Sequence, residues 1–158
     1  MRTQGPKQWI GKVALASFVL SLALALSGCT SDKTAEINVA GTWRSEVLIT
    51  SCEPAGACED AGFVQGANLF AELTLTQVRS DLNGTYAYDG SSITVPVSGR
   101  VGEGVVAVNG AANIPFGSMT VNFSGTKSGD TMPATVTHQI TFRDGRAANI
   151  AVSGTFTR

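Results

Sequence analysis

From Gly41 to the C-terminal end, apolar residues recur at every second position. That period belongs to a strand with one buried and one solvated face, and it constrains the fold more than any other feature of the chain. Thr131–Phe142 shows it most clearly, with Met132, Ala134, Val136, His138, Ile140 and Phe142 on one face. Gly41–Thr50 turns Trp43, Val47 and Ile49 inward, and Leu69–Val78 turns in Leu69, Ala71, Leu73 and Leu75. The same parity places Tyr86 and Tyr88 together in Gly84–Tyr88, and Ile93, Val95 and Val97 together in Ser92–Val101. Pro96 lies on the outward parity of that strand, where a residue without an N–H predicts a bulge or a local break in pairing. Ser118–Gly125 alternates through Met119, Val121 and Phe123, and Ala147–Phe156 through Ala148, Ile150, Val152 and Phe156. Gly104–Ala111 is apolar on both parities, so its register is not readable. Asn83-Gly84, Asp89-Gly90 and Arg143-Asp144-Gly145-Arg146 read as turns. The expectation is an all-β domain of about eight antiparallel strands with no room for a helix between them. Such a set closes into an up-and-down barrel or, alternatively, stacks as a β-sandwich.

A short repeat favours the barrel. An apolar residue, then Ser or Asn, then Gly recurs at Leu82-Asn83-Gly84, Val97-Ser98-Gly99, Val108-Asn109-Gly110, Phe123-Ser124-Gly125 and Val152-Ser153-Gly154. Gly99, Gly125 and Gly154 fall inside their strand patterns, where glycine permits sharp coiling and leaves space inside.

The N-terminus has a different character. Arg2, Lys7 and Lys12 precede an uncharged run of about 14 residues, Val13–Leu26, which suits a secretory signal and is short of the roughly 20 needed to span a bilayer. The run ends in Leu26-Ser27-Gly28-Cys29, which resembles the bacterial lipoprotein signal. That resemblance implies cleavage before Cys29 and a lipid on its sulfur, strong enough with two or three chains to hold a protein on a membrane. It divides the chain into a signal (1–28), a lipidated tether (29–40) and a barrel domain (41–158), with a cell-envelope location. Thr30, not Asp, follows the cysteine, so no inner-membrane retention signal is read and an outer-membrane or surface address is expected.

Lys and Arg number 11 against 12 Asp and Glu, and cleavage would remove Arg2, Lys7 and Lys12 without an acid. The remaining acidic balance argues against nucleic acid and against a polybasic membrane face. With Cys29 taken by lipid, Cys52 and Cys58 form an even pair in an oxidising compartment and are expected to bridge. The single histidine lies far away in sequence, so no metal site is expected.

Gly41-Thr42-Trp43, Leu82-Asn83-Gly84-Thr85-Tyr86 and Ser98-Gly99-Arg100 resemble the first strands of avidin-type barrels and, more loosely, the calycin group that includes lipocalins. The resemblance implies that Trp43 closes the barrel floor and that Tyr86 and Tyr88 face the lumen near the ligand. Ser45 stands where the avidin type has its ligand-binding Asn, and Trp43 is the sole tryptophan after the signal. Biotin is therefore not the expected ligand. In general character the chain is also similar to the small disulfide-bearing envelope lipoproteins that inhibit lysozyme.

No G-x-S-x-G, H-E-x-x-H or phosphate-binding glycine loop occurs, and His138, between Val136 and Ile140 on its strand face, reads as a core or lumen residue. No enzyme and no cofactor are expected. The loop Ser51–Asn68, about 18 residues, exceeds an ordinary connection and reads as a lid or binding surface. Two functions follow. In the first, Trp43, Tyr86, Tyr88, His138 and Phe142 line a lumen that takes a small apolar ligand under this loop. In the second, the barrel is solid and Glu53, Glu59, Asp60 and Phe63 contact another envelope protein.

Overall fold

The alternation closes on itself. A computed structural model describes residues 37–89 and 91–158. It contains β1 (Gly41–Glu53), β2 (Asn68–Val78), β3 (Asp81–Tyr88), β4 (Thr94–Gly102), β5 (Val105–Ile114), β6 (Gly117–Thr126), β7 (Thr131–Phe142) and β8 (Ala147–Thr157). Each strand pairs antiparallel with the next, and β8 returns to β1, giving a closed barrel. The closing seam runs from Arg44 opposite Thr157 to Glu53 opposite Asn149, with a register shift between Ile49 and Ser51. Closure removes the open edges that a sandwich would leave, so the up-and-down barrel is the fold. Ala35–Arg158 forms one compact unit in which every strand has both neighbours, the condition for a domain that folds alone. The stretch read from sequence as a signal (1–28), Cys29, the part of the expected tether up to residue 36, and Gly90 lie outside the described residues.

Inward parity follows the alternation. On β7 every second side chain from Met132 to Phe142 is buried. On β5, where sequence is ambiguous, the neighbours decide: Val108 sits between Gly99 and Phe123, which turns Val106 and Val108 inward. Pro96 pairs with Thr85 of β3, while pairing to β5 begins only at Val97, so the ladder is incomplete at the proline as expected.

Four expectations need correction. Gly84 is no turn residue; it lies inside β3, opposite Leu75 and Val97. A Cβ there would stand 1.8 Å from the Thr74 carbonyl oxygen. The turn falls two residues before β3, at Arg79-Ser80, with Arg79 left-handed (φ 57°). Nor do the mid-strand glycines leave space. A Cβ on Gly99 would lie 2.0 Å from the Ala107 carbonyl oxygen, and one on Gly154 would lie 2.6 Å from Ser45 Oγ. Their role is close approach of neighbouring strands. The third correction concerns the turn signal at Asp89: the chain does turn there, the Ser91 N–H donating to the Tyr88 carbonyl (3.1 Å), but not as a two-residue hairpin. Pairing of β3 with β4 ends at Ala87 and Thr94, and the Asp89 N–H turns to the Phe70 carbonyl (2.8 Å). Finally, a helix does fit: α1 (Ala55–Asp60) lies between β1 and β2, burying Ala57 and Cys58.

The floor of the barrel is sealed by its own N-terminal approach. Trp43 is fully buried and its indole N–H donates to the Val39 carbonyl (2.8 Å), while the Arg158 guanidinium lies 5.3 Å from the ring centre. Gln77 holds the incoming segment, accepting from Val39 N–H (2.8 Å) and donating to the Ile37 carbonyl (2.9 Å). Residues 37–40, read from sequence as tether, thus pack with the barrel.

Candidate functional site at the barrel mouth

The opposite end is shaped by the loop between β1 and β2. Cys52, near the end of β1, is bridged to Cys58 on α1, with their Cα atoms 6.0 Å apart. The helix supplies this closeness by bringing Cys58 back over the strand end. The Phe63 N–H then donates to the Cys58 carbonyl (2.8 Å), and Gly62 and Gly66, both at positive φ, turn the chain around Phe63. Phe63 therefore points into the mouth, 8% exposed, instead of outward as a partner-binding face would require.

Beneath Phe63 lies an aromatic cluster. Tyr86 and Tyr88, alternate residues of β3, face the lumen and meet His138 of β7 from across it. Tyr88 Oη and His138 Nε2 are 3.1 Å apart, a hydrogen bond in which either group can donate. The Tyr86, Tyr88 and His138 rings lie 5.4 to 5.6 Å apart, centre to centre. Phe63 stacks on His138 at 6.0 Å and meets Tyr88 edge-on at 5.7 Å. Among the described residues, Tyr86 Oη and His138 Nδ1 are buried without a hydrogen-bond partner. Burial lowers the His138 pKa to about 4 and raises those of both tyrosines above the ordinary phenol value, so all three groups are neutral at physiological pH. The side-chain partner of His138 is a tyrosine equally held in its neutral form, an arrangement suited to hydrogen-bonding a molecule rather than to generating a nucleophile.

Above the cluster a pocket of about 220 Å³ opens at the mouth, lined by Phe63, Tyr88, Ile114, Phe116, Met119 and Ile140 among others. Of the five residues read from sequence as ligand-lining, only Tyr88 borders it. Tyr86 and His138 lie under Phe63. Phe142 stacks on Phe116 at 5.5 Å with the Arg146 guanidinium 4.9 Å from its ring centre, and Trp43 occupies the floor. The reason is height in the barrel: these residues share the inward parity, but strand stagger puts them at different levels. Of the four residues assigned to a partner face, Glu53 ends β1, Glu59 and Asp60 are exposed on α1, and Asp60 pairs with Arg146. Phe63 belongs to the site. Met119 and Ile140 were legible as inward residues near strand ends, whereas Phe63 and Phe116 sit in connections with no period to read. Larger depressions of about 410 and 400 Å³ lie among outward side chains such as Phe70 and Glu72, and Thr137 and Asn149. No group of three or more His, Cys, Asp or Glu among the described residues could hold a metal ion.

Fold and site define an eight-stranded up-and-down β-barrel, sealed at one end and carrying a small apolar pocket at the other. No protein-family profile matches the chain, and no curated protein matches it. Among solved structures it is similar to a bradavidin2–biotin complex, at 17% identity over 75% of this chain and 96% of that one, with a TM-score of 0.46. The architecture is defined by this chain's own strand pairing.

Proposed function

We propose that the protein is a lipid-anchored envelope protein that binds a small apolar ligand in the mouth of its barrel and carries out no catalysis. The anchor is supported by the Leu26-Ser27-Gly28-Cys29 sequence after a charged and then apolar N-terminus. Binding is supported by one observation above the others: the loop between β1 and β2 directs an aromatic side chain inward over a 220 Å³ apolar pocket. A loop built to contact another protein would present Phe63 to solvent, and this one withdraws it. Space of this size suits a ligand on the order of ten heavy atoms.

Native mass spectrometry of the protein extracted from its own envelope tests both halves. The expected result is a chain beginning at Cys29, heavier by its acyl groups, with a further small mass that dissociates on activation. A chain that carries no small mass and binds no naphthalene in solution overturns the ligand reading. An unmodified Cys29 overturns the anchor.

A further inference from the structure

The two orphaned polar atoms under Phe63 say what kind of ligand the pocket suits. Tyr86 and His138 are each about 1% exposed, yet no group among the described residues meets Tyr86 Oη or His138 Nδ1 in good hydrogen-bond geometry, the Tyr88 hydroxyl being close enough to Tyr86 Oη only to influence its titration. A buried donor or acceptor left unpaired is costly, and such groups in a folded protein ordinarily meet a water or a ligand. Both atoms belong to one cluster, their rings 5.6 Å apart. That cluster touches the pocket through two residues. Tyr88 lines the pocket and bonds His138, while Phe63 lines the pocket and stacks on His138. Two side chains, Phe63 (carried between two glycines) and Tyr88, therefore stand between the apolar pocket and His138.

We propose that the ligand is a neutral amphiphile whose hydroxyl or carbonyl displaces the Phe63 ring and bonds Tyr86 Oη and His138 Nδ1, while its apolar body fills the mouth pocket. This rests on the reading of the pocket as a ligand site and adds the chemistry of the head group. A charged head at the cluster is excluded because it would have no counter-charge: the buried polar groups it would meet, on Tyr86 and His138, are neutral, and Asp89, which also lines the pocket, is exposed and would repel an anion. The two head groups correspond to the two tautomers of His138. If Tyr88 donates to Nε2, then Nδ1 carries the hydrogen and the head must accept, as a carbonyl does. If Nε2 donates to Tyr88, then Nδ1 accepts and a hydroxyl fits, donating to it while receiving the Tyr86 hydrogen.

The test is calorimetric titration of unit 35–158 and its Tyr86→Phe variant with naphthalene, 2-naphthol, 2-acetylnaphthalene and 2-naphthoate at neutral pH. The expected result is that one neutral head binds about tenfold tighter than naphthalene, as one well-placed buried hydrogen bond supplies. Naphthoate binds more weakly than naphthalene. Tyr86→Phe removes an oxygen that makes no well-formed hydrogen bond and keeps a ring that does not line the pocket, so the barrel should fold and still bind naphthalene while the head-group preference is lost. The imidazole resonances of the single histidine should move with the preferred head and not with naphthalene. If all neutral probes bind alike, the pocket stands and the head-group inference falls, the orphaned atoms then serving a buried water. Tightest binding of naphthoate overturns the neutral class. If no probe binds, the pocket reading falls and this inference with it.

Discussion

Tyr88 and His138 meet at 3.1 Å across the lumen from strands β3 and β7, which do not pair with each other. One hydrogen bond thus spans the barrel at its mouth, in surroundings dry enough to hold both partners neutral. The consequences can be measured with little ambiguity, because the chain has one histidine and two tyrosines.

The first concerns acid. His138 has its pKa lowered by burial to about 4, against 6.5 when exposed. Between those values the unfolded chain binds a proton that the folded chain refuses. Stability is therefore full above about pH 6.5 and declines as pH falls towards 4, by about 3 kcal/mol in all. Urea unfolding at pH 7 and pH 4.5 should show a larger loss in the wild type than in His138→Gln, where only carboxylates such as Asp144, held low by Arg146, still contribute an acid slope. An imidazole resonance that titrates near pH 6.5 in the folded protein would contradict it.

At the alkaline end the tyrosines behave in the opposite sense. Both pKa values are raised by burial, so the folded chain keeps its phenol protons where the unfolded chain gives them up. Stability is full below about pH 10 and is lost as pH rises beyond it. Phenolate absorbance should therefore appear together with the loss of circular dichroism, in one transition. Ionisation of either tyrosine in a still-folded barrel would show that the cluster is wetter than described.

Gly84→Ala separates a strand glycine from a turn glycine. With 1.8 Å between the added Cβ and the Thr74 carbonyl oxygen, β2 and β3 must move apart. The expected loss is about 3 kcal/mol, at the upper end of ordinary overpacking. In unit 35–158 Trp43 is the only tryptophan, so its fluorescence reports the denaturation midpoint. A midpoint within error of the wild type would return Gly84 to the turn.

Replacing Cys52 and Cys58 together by alanine should leave the barrel closed, because every strand keeps both neighbours. The ring is short, so the cost is about 2 kcal/mol on the chain-entropy account. The larger effect should be local. Amides from Ala55 to Ala67 should exchange faster and Phe63 should cover the cluster less well, while strand amides remain protected. Uniform acceleration over the whole barrel would show instead that the bridge supports the fold.

Much of this was written locally. Alternation in Thr131–Phe142 selects the same inward side chains that the barrel buries, and it does so because side-chain direction in a strand depends only on parity. The pairing of Cys52 with Cys58 was likewise legible from their number and spacing. Parity says nothing about height or partner. Phe142 and His138 share one face of β7, yet only His138 reaches Tyr88, since strand stagger and closure through the β1–β8 seam set which inward residues are level. Gly84 read as a turn because Asn-Gly is a turn signal in isolation, and the close approach of Thr74 that requires glycine is a contact between strands. Phe63 carries no periodic signal at all. Its place over the pocket follows from a helix, a disulfide and two glycines acting together. The sequence alone therefore determined which residues face inward and roughly how many strands carry them. Only the tertiary structure decided which of those residues meet, because that depends on stagger, closure and the path of one loop, none of which is a property of neighbours along the chain.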